Sequence, residues 1–385
     1  MNQIDHRAYI SKNETISYSE IDRTKVDLFE VIDETNVPRL LGVLAFVLKG
    51  DRSFSVILKR SDIVIDMSKM IMEPGSITIF SSGTTGIPTS SSISFDDLVA
   101  RITSKIDEGE IVASGYDITK FSGLQALLAC LRNSATYLDV GMQFSILEKN
   151  HFTRIVGTPS WCNYLVMHIG NSDFEKFKLV RSITLGGEAA DDRTLRMLKS
   201  TFPSADINQI YASTEAGVLF NIKDRLPGLS LESALHFAAE KRVAWSDDLD
   251  ELSEGDLTEL IYFDRSSGRK ILSGDIFQIR SGRLVFYGRD NDCVSIGGQN
   301  VSLVVLEALV NEHQCVRICR ALAKKNSMMG HILLLEVELD LGVRLSEIKK
   351  DILHRIKDIL GSRYLPASIS EVHEIKLNSN GKVIR

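Results

Sequence analysis

The sequence predicts a mixed α/β protein with a large, layered N-terminal domain and a smaller C-terminal α+β domain. In the first half, short apolar runs alternate with amphipathic helical segments, a pattern that favours parallel strands in a layered sheet. A hairpin pattern follows at residues 276–287, with a turn at Ser281 and Gly282. The sequence after this hairpin predicts further helices and a strand. We therefore predict two domains, residues 1–290 and 291–385.

The individual elements follow from local pattern. An apolar run predicts a strand that begins near residue 76, and the nearly continuous apolar run LQALLACL predicts a buried helix over residues 124–131. The next predicted elements are a strand over 179–185, a helix over 191–202 and a strand over 206–211. In the C-terminal segment the predicted elements are a helix over 303–311, a strand over 332–339 and a helix over 345–360.

Composition excludes several classes of function. The chain has 385 residues and a formal net charge of −6, which gives no electrostatic support to nucleic-acid binding. Its longest apolar run, residues 40–48, is far shorter than the ~18 residues that a membrane helix needs. The first residues lack the apolar core of a signal peptide, and the five cysteines show no metal-binding spacing. We expect a cytoplasmic protein without nucleic-acid or membrane partners.

The most informative segment is SITIFSSGTTGIPTSS, residues 76–91, in which a strand leads into a loop of glycine, serine and threonine. Glycine lets the backbone approach a ligand closely, while hydroxyl and N–H groups are donors to phosphate oxygens. The segment lacks the GK[ST] ending of a P-loop and has no GxGxxG, so neither common nucleotide motif fits.

Further polar motifs follow at intervals along the chain. They are LGGEA (185–189), QIYASTEAG (209–217), LSGDI (272–276), GRDNDCVSIGGQNV (288–301) and the final LNSNGKVIR (377–385). Each alone is more typical of a turn or a helix cap than of a site. Their joint occurrence in this order is much more specific.

Together these motifs resemble the AMP-forming adenylating enzymes, which include acyl- and aryl-CoA synthetases, adenylation domains of peptide synthetases, and luciferases. The resemblance covers most of the chain. It implies a member that is reduced at its N-terminus, because the phosphate loop begins earlier than in relatives. The implied activity is that of an ATP-dependent AMP-forming acid–thiol ligase. ATP and Mg²⁺ would convert a carboxylic acid to an acyl-adenylate, and the acyl group would pass to CoA or to the phosphopantetheine of a carrier protein.

The resemblance also assigns residues to ATP. The β- and γ-phosphates would lie against the loop residues Ser82, Gly83, Thr84, Thr85 and Gly86. Adenine would lie on Tyr211, with its edges along Gly186, Gly187, Glu188 and Gln209. Asp275 would accept the ribose hydroxyls, and Arg289 would add a second ribose contact.

The catalytic assignments concern the reacting phosphate. Thr214 would hold the α-phosphate, Glu215 would hold Mg²⁺, and Lys382 would reach the α-phosphate and the substrate carboxylate. In this family the small C-terminal domain rotates between the two half-reactions, here about a hinge at Asn291. After rotation, Gly297 and Gly298 would line a narrow tunnel for the thiol.

The chain departs from the family pattern at two places. The phosphate loop normally continues with lysine and glycine after its proline, but here Thr89 and Ser90 follow Pro88, so a cation is missing. Ala212 replaces a usual glycine. These changes leave a degenerate, nucleotide-binding paralogue as an alternative, although Glu215 and Lys382 are both retained.

The substrate segment, YDITKFSGL at residues 116–124, admits two alignments. In one, Asp117 matches the aspartate with which peptide-synthetase domains bind an α-ammonium group, which implies an amino-acid adenylation enzyme that loads a carrier protein. In the other, Lys120 lies beside the acyl pocket. A structural role for both side chains is a third interpretation. Ala216 and Gly217 are further candidates for the pocket.

Overall fold

A computed structural model describes most of the chain. The described residues are 7–21, 24, 26–60, 74–82, 88–102, 104–169, 174–213, 216–240, 242–263, 268–289, 293–296, 299–376 and 383. The chain divides into two compact units, the first mainly residues 1–186 and 198–208, the second mainly residues 187–197 and 209–378. None of the helices in the described ranges has the length and apolar character of a membrane span.

The first unit contains two sheets and most of the N-terminal helices. Its strands are β1 (Arg7–Ile10), β2 (Thr15–Ser17), β3 (Phe29–Asp33), β4 (Ser55–Lys59), β5 (Ser76–Ser82), β6 (Pro88–Ser94), β7 (Ile111–Ser114), β8 (Thr136–Asp139), β9 (Arg154–Gly157) and β10 (Ser182–Gly186). Its helices are α1 (Val37–Leu48), α2 (Phe95–Ala100), α3 (Phe121–Arg132) and α4 (Pro159–Ile169), with 3-10 turns at Phe144–Glu148 and Phe174–Leu179.

Parallel pairing organises both sheets of this unit. One has the strand order β10-β9-β7-β8-β1-β2, in which β10, β9, β7, β8 and β1 run parallel. The other has the order β3-β4-β5-β6, and only β6 is antiparallel to its neighbour. Residues of α1, α3 and both sheets share one hydrophobic core. Burial of this apolar surface is the main force that holds the layers together.

Two elements cross the division between the units: α5 (Asp192–Thr201) and β11 (Asp206–Ser213). The second unit continues with β12 (Gly217–Ile222), β13 (Leu229–Ser230), α6 (Leu231–Ala239), β14 (Val243–Trp245), β15 (Leu257–Phe263), β16 (Lys270–Arg280) and β17 (Arg283–Arg289). It ends with β18 (Cys293–Ile296), β19 (Gln299–Ser302), α7 (Leu303–Asn311), β20 (Val316–Asn326), β21 (Gly330–Leu339), α8 (Leu345–Leu360), a 3-10 turn at Ser362–Tyr364 and β22 (Ser368–Glu371).

The second unit has two separate hydrophobic cores. An antiparallel sheet of order β13-β17-β16-β15-β14 packs around one of them. The other lies between α7, α8 and a sheet of order β19-β18-β21-β20, to which β22 adds in parallel. This last group has the α+β character that the sequence predicts for a C-terminal domain.

The predicted mixed α/β class is confirmed, and several elements match closely. Helices α7 and α8 have the predicted bounds. The strand predicted from residue 179 begins three residues later, at Ser182, because Leu179 ends a 3-10 turn. The predicted hairpin forms, but β16 already begins at Lys270. The domain boundary at residue 290 stays a prediction, since residues 290–292 lie outside the described ranges.

Candidate active site

The carboxyl ends of four parallel strands bring the substrate segment into place. Strands β7, β8, β9 and β10 end at Ser114, Asp139, Gly157 and Gly186. The hydroxyl of Tyr116, just beyond β7, lies 2.8 Å from the Gly157 carbonyl oxygen and 3.1 Å from that of Gly186. Ligands of open α/β sheets bind at this edge, because the connecting loops leave a crevice there.

A cavity of about 380 Å³ opens at this edge, within the first unit. Its lining includes Asp117, Asp139 and Glu34, and among its described lining residues none is basic. Carboxylate groups in a concave, partly desolvated site attract a cation and disfavour an anion. The cavity therefore fits a group that carries a positive charge.

The carboxylate of Asp117 is held in position by a local turn. Its Oδ1 accepts hydrogen bonds from the backbone N–H of Thr119 at 2.8 Å and from the Thr119 hydroxyl at 2.6 Å. Aspartate forms such turns with the residue two positions later because its short side chain reaches that N–H. Oδ2 has no hydrogen-bond partner among the described residues, and it is the oxygen that remains for a ligand.

Helix α3 packs closely against this turn. A β-carbon on Gly123 would lie 2.0 Å from the Asp117 carbonyl oxygen, so only glycine fits there. Lys120 precedes the helix as its N-cap residue, and only 8% of its surface is exposed. Its burial does not decide between a substrate role and a structural one, so the Lys120 assignment stays a prediction.

Asp139 is the second carboxylate of the cavity, and it has an altered acidity. Its Oδ2 accepts a hydrogen bond of 2.6 Å from the hydroxyl of Tyr9. Burial raises the pKa of Asp139 from about 3.8 to about 6, although the Tyr9 hydrogen bond opposes the rise. The nearby charge of Asp117 raises this pKa further, because two carboxylates in one cavity repel each other when both are ionised.

In the second unit, three of the predicted nucleotide-binding residues come together. Asp275 lies on β16 and is 4% exposed; Arg289 lies opposite it on β17. The Arg289 Nε donates to Asp275 Oδ1 at 2.7 Å, and the Tyr211 hydroxyl donates to Oδ2. A carboxylate has about four acceptor positions, so each oxygen still has capacity for a ribose hydroxyl.

The ring of Tyr211 is half-buried and has one covered face. It stacks on Phe220 with ring centroids 4.7 Å apart and an angle of 11° between the planes. Burial and the Asp275 charge raise the pKa of the Tyr211 hydroxyl, so this group stays a neutral donor. The geometry leaves a fixed aromatic surface of the kind on which a base stacks.

Other assigned residues have additional partners. The side-chain amide of Gln209 donates to the Leu226 carbonyl oxygen at 2.9 Å. The N–H of Ala216 bonds to the Ser213 hydroxyl at 2.9 Å, and Gly217 has a φ of +76°, at the start of β12. Gly187 has a φ of +83° directly after β10, and Glu188 follows it. These contacts shape the loops but do not test the assigned roles.

Several assigned residues lie outside the described ranges. They are Gly83, Thr84, Thr85, Gly86, Thr214, Glu215, Asn291, Gly297, Gly298 and Lys382. Ser82 is the last residue of β5, and β6 resumes at Pro88 in an antiparallel pairing. Strands β5 and β6 thus flank the assigned phosphate loop in the sequence, while the roles of its residues stay predictions.

Two residues of the cavity wall had no motif that marked them. Tyr9 and Asp139 are 130 positions apart in sequence, and they meet only in the folded sheet. One signal was present for Asp139: it is an acidic residue at the end of an apolar strand, TYLD. The carboxyl ends of parallel strands are common places for ligands.

Comparison with known proteins agrees with this fold and with the resemblance to adenylating enzymes. A family model described as AMP-binding enzyme matches residues 72–238. The chain is 25% identical over 359 residues to the D-alanine–D-alanyl carrier protein ligase of Lactococcus lactis, which covers 83% of this chain and 71% of that protein. The Bacillus licheniformis ligase of the same name is 23% identical, with 80% and 69% covered.

Solved structures share the fold over nearly the whole chain. ATP-bound MatB from Rhodopseudomonas palustris superposes with a TM-score of 0.71 at 16% identity and covers 100% of this chain and 95% of its own. The o-succinylbenzoate CoA synthetase of Bacillus subtilis, in complex with its acyl-adenylate, gives 0.64 at 16% identity, with 98% and 94% covered. At these identities the likeness concerns the fold alone.

Proposed function

We propose that the chain, whose residues 72–238 match the AMP-binding enzyme family model, activates an amino-bearing carboxylic acid with ATP and transfers the acyl group to a carrier-protein thiol. The Asp117 carboxylate, fixed by Thr119 at the wall of an acidic cavity, is the observation that carries this proposal. The relatives named D-alanine–D-alanyl carrier protein ligase support both the amino acid and the carrier protein.

The electrostatics of the cavity favour an amino acid over a simple acid. A substrate must bring its own carboxylate to the site, and the acidic lining repels that charge. An α-ammonium group on Asp117 offsets the repulsion through a charge-assisted hydrogen bond. The substrate carboxylate then points away from the acidic lining.

In the first half-reaction, a substrate carboxylate oxygen forms a bond to the α-phosphorus of ATP. The bond from that phosphorus to the bridging oxygen of pyrophosphate breaks, and pyrophosphate leaves with the electron pair. Asp275 and Arg289 would hold the ribose, and Tyr211 would hold adenine. Lys382 would lie between the substrate carboxylate and the α-phosphate. Gly186, Gly187, Glu188 and Gln209 would surround the base.

The remaining assignments concern the phosphates and the metal. Ser82 and the residues 83–86 would bind the β- and γ-phosphates, and Thr214 would bind the α-phosphate. Mg²⁺ would neutralise phosphate charge, and the carboxylate of Glu215 is the hard oxygen ligand that this ion prefers. Glu215, which the resemblance assigns to the metal, is the proposed protein ligand.

In the second half-reaction, the carrier's thiol sulfur forms a bond to the acyl carbon. The bond from that carbon to the phosphate oxygen breaks, AMP leaves, and the thiol proton passes to solvent. Rotation about Asn291 would replace Lys382 by the segment with Gly297 and Gly298. The absence of a side chain on these glycines suits a narrow passage for a pantetheine arm.

Exchange of labelled pyrophosphate into ATP tests the first half-reaction directly. With D-alanine or L-alanine among a panel of amino acids, we expect exchange by the wild type and a KM for the amino acid raised on the order of tenfold to a hundredfold in Asp117→Asn. The asparagine side chain keeps an oxygen for the Thr119 turn but loses the charge.

A matched control exists in the same unit. Asp33 forms the same turn, since its Oδ1 accepts from the N–H and the hydroxyl of Thr35 at 3.1 and 2.8 Å, but it is not among the residues that line the cavity. Asp33→Asn should retain the wild-type KM. Equal effects of the two substitutions would contradict a role of Asp117 in substrate binding.

A further inference from the structure

The end of the β20–β21 hairpin is an exposed surface with an unusual combination of groups. Met328 is 91% exposed and Met329 is 46% exposed, and the exposed Lys324 and Lys325 precede them. Methionine is enriched in protein interfaces, and charged groups beside such an apolar contact favour a partner of opposite charge. We call residues 324–331 the hairpin end.

The hairpin end is rigid rather than a loose turn. Asn326 pairs with Gly330 and closes the two strands. The Asn326 side chain also accepts hydrogen bonds from the N–H groups of Met328 and Met329, at 2.9 and 3.0 Å. The two methionines are therefore held outward by a defined backbone, which reduces the entropy lost when a partner binds.

The positive charge of the hairpin end is uncompensated, unlike that of the rest of the hairpin. Further from the turn, Arg320 pairs with Glu336 and Arg317 pairs with Glu338 at 3.2 Å. At the end of the hairpin, Lys324 and Lys325 lie opposite Ile332 and His331 instead. No ion pair to either lysine occurs among the described residues. The hairpin end is thus locally basic in a chain of net charge −6.

The hairpin end also contacts the strand that leads into the proposed thiol tunnel. Gly330 pairs with Ile296 of β18, and the His331 Nδ1 lies 3.3 Å from the Ser295 carbonyl oxygen. A β-carbon on Gly330 would lie 3.0 Å from that same oxygen, which shows how closely the two strands approach. Gly297 follows directly after β18 in the sequence.

We propose that the hairpin end is the docking surface for the carrier protein, through an acidic patch of the carrier. The inference rests on the proposed function, since it requires a thiol carried by a protein. A carrier bound at the hairpin end would have its phosphopantetheine arm close to Ser295 and Ile296 of β18. Because the chain is acidic overall, it repels an acidic carrier elsewhere and steers it towards this basic surface.

The test compares a hairpin variant with a matched control. Lys324→Glu/Lys325→Glu reverses the charge of the hairpin end, and Lys349→Glu/Lys350→Glu makes the same change on two exposed, adjacent lysines of α8. A third variant, Met328→Ser/Met329→Ser, removes the apolar contact alone. Thermal unfolding of each variant establishes that it is folded.

Three activities are measured for each variant. They are amino-acid-dependent pyrophosphate exchange, thioester formation on free pantetheine or CoA, and thioester formation on the phosphopantetheinylated D-alanyl carrier protein of Lactococcus lactis. We expect the charge reversal to raise the KM for the carrier protein by about tenfold or more and to leave the first two activities unchanged. Met328→Ser/Met329→Ser should also raise the KM for the carrier protein, whereas the α8 control should leave this KM unchanged. The wild-type KM for the carrier should also rise with salt.

The possible failures are distinct. If the wild type supports neither exchange nor thioester formation on pantetheine, the proposed function is wrong. If both activities occur but the carrier is no better than free pantetheine, or the hairpin variant loads it with the wild-type KM, the docking surface is wrong. Loss of transfer to CoA without loss of transfer to the carrier would assign the lysines to a nucleotide instead, and would also overturn the inference.

Discussion

Gly123 on α3 and the carbonyl oxygen of Asp117 are so close that a β-carbon at position 123 would lie 2.0 Å from that oxygen. The first turn of the helix thus packs directly against the turn that fixes the Asp117 carboxylate. This arrangement connects the stability of the first unit to the geometry of the proposed ammonium site, because neither segment can shift without the other.

Replacing Gly123 by alanine should disturb both properties. The added methyl group meets backbone atoms, which cannot rotate away as a side chain would, so we expect the free energy of unfolding to fall by about 1–3 kcal/mol. Chemical denaturation measures this loss, and pyrophosphate exchange measures the accompanying rise in KM for the amino acid. The exposed neighbour Ser122 provides the control, since Ser122→Ala should change neither quantity.

Asp275 and Tyr211 should contribute unequally to nucleotide binding. Asp275→Asn removes the negative charge that we propose for the ribose hydroxyls, and we expect the KM for ATP to rise on the order of tenfold to a hundredfold. Tyr211→Phe keeps the ring stacked on Phe220 and removes only the hydroxyl that donates to Asp275. Tyr211→Phe should therefore raise the KM for ATP less than Asp275→Asn does. Calorimetric titration with AMP provides an independent measure of nucleotide affinity. A larger loss in Tyr211→Phe than in Asp275→Asn would contradict these roles.

Asp139 should make stability depend on pH in a defined window. Because burial raises the pKa of Asp139 to about 6, the folded protein binds this proton more tightly than the unfolded chain does. The resulting stabilisation is complete below about pH 3.8 and disappears as the pH rises through 6. Relative to Asp139→Asn, the wild type should therefore lose stability between these values and stay constant above them.

Thermal unfolding of the wild type and of Asp139→Asn between pH 4 and 7 measures the difference in stability between them. The effects of pH on other groups cancel in this difference. The asparagine introduced by Asp139→Asn keeps an oxygen acceptor for the Tyr9 hydroxyl, and the variant should remain folded. Parallel melting curves over the whole range would show that Asp139 ionises in the folded protein as it does in the unfolded chain.

The bounds of helices and strands could be predicted well from the sequence where the residues that determine them lie within or next to the element. Helix α7 follows Ser302, whose hydroxyl accepts a hydrogen bond from the Val305 N–H, and Gly361, which has a φ of +88°, caps the end of α8. Capping residues and 3.6-residue periodicity lie within the segments themselves. The order of the polar motifs likewise sufficed to bring Tyr211, Asp275 and Arg289 together as nucleotide-binding candidates.

The features that could not be predicted from the sequence depend on pairing between segments that are far apart in the chain. The Tyr9–Asp139 hydrogen bond exists only because β1 lies beside β8 in the sheet, and no local pattern specifies that neighbour. The approach of the hairpin end to β18 has the same origin. Asp117 was identified, but the turn with Thr119 and the packing of Gly123 that hold its carboxylate required the structure.

The most direct test of the central claim compares alanine with propionate, its deaminated analogue, in pyrophosphate exchange by the wild type. If Asp117 and the acidic cavity select an ammonium group, alanine supports exchange, and propionate at the same concentration does not. Equal or faster exchange with propionate would mean that the cavity does not bind an amino group, and the proposed amino-acid substrate would have to be abandoned.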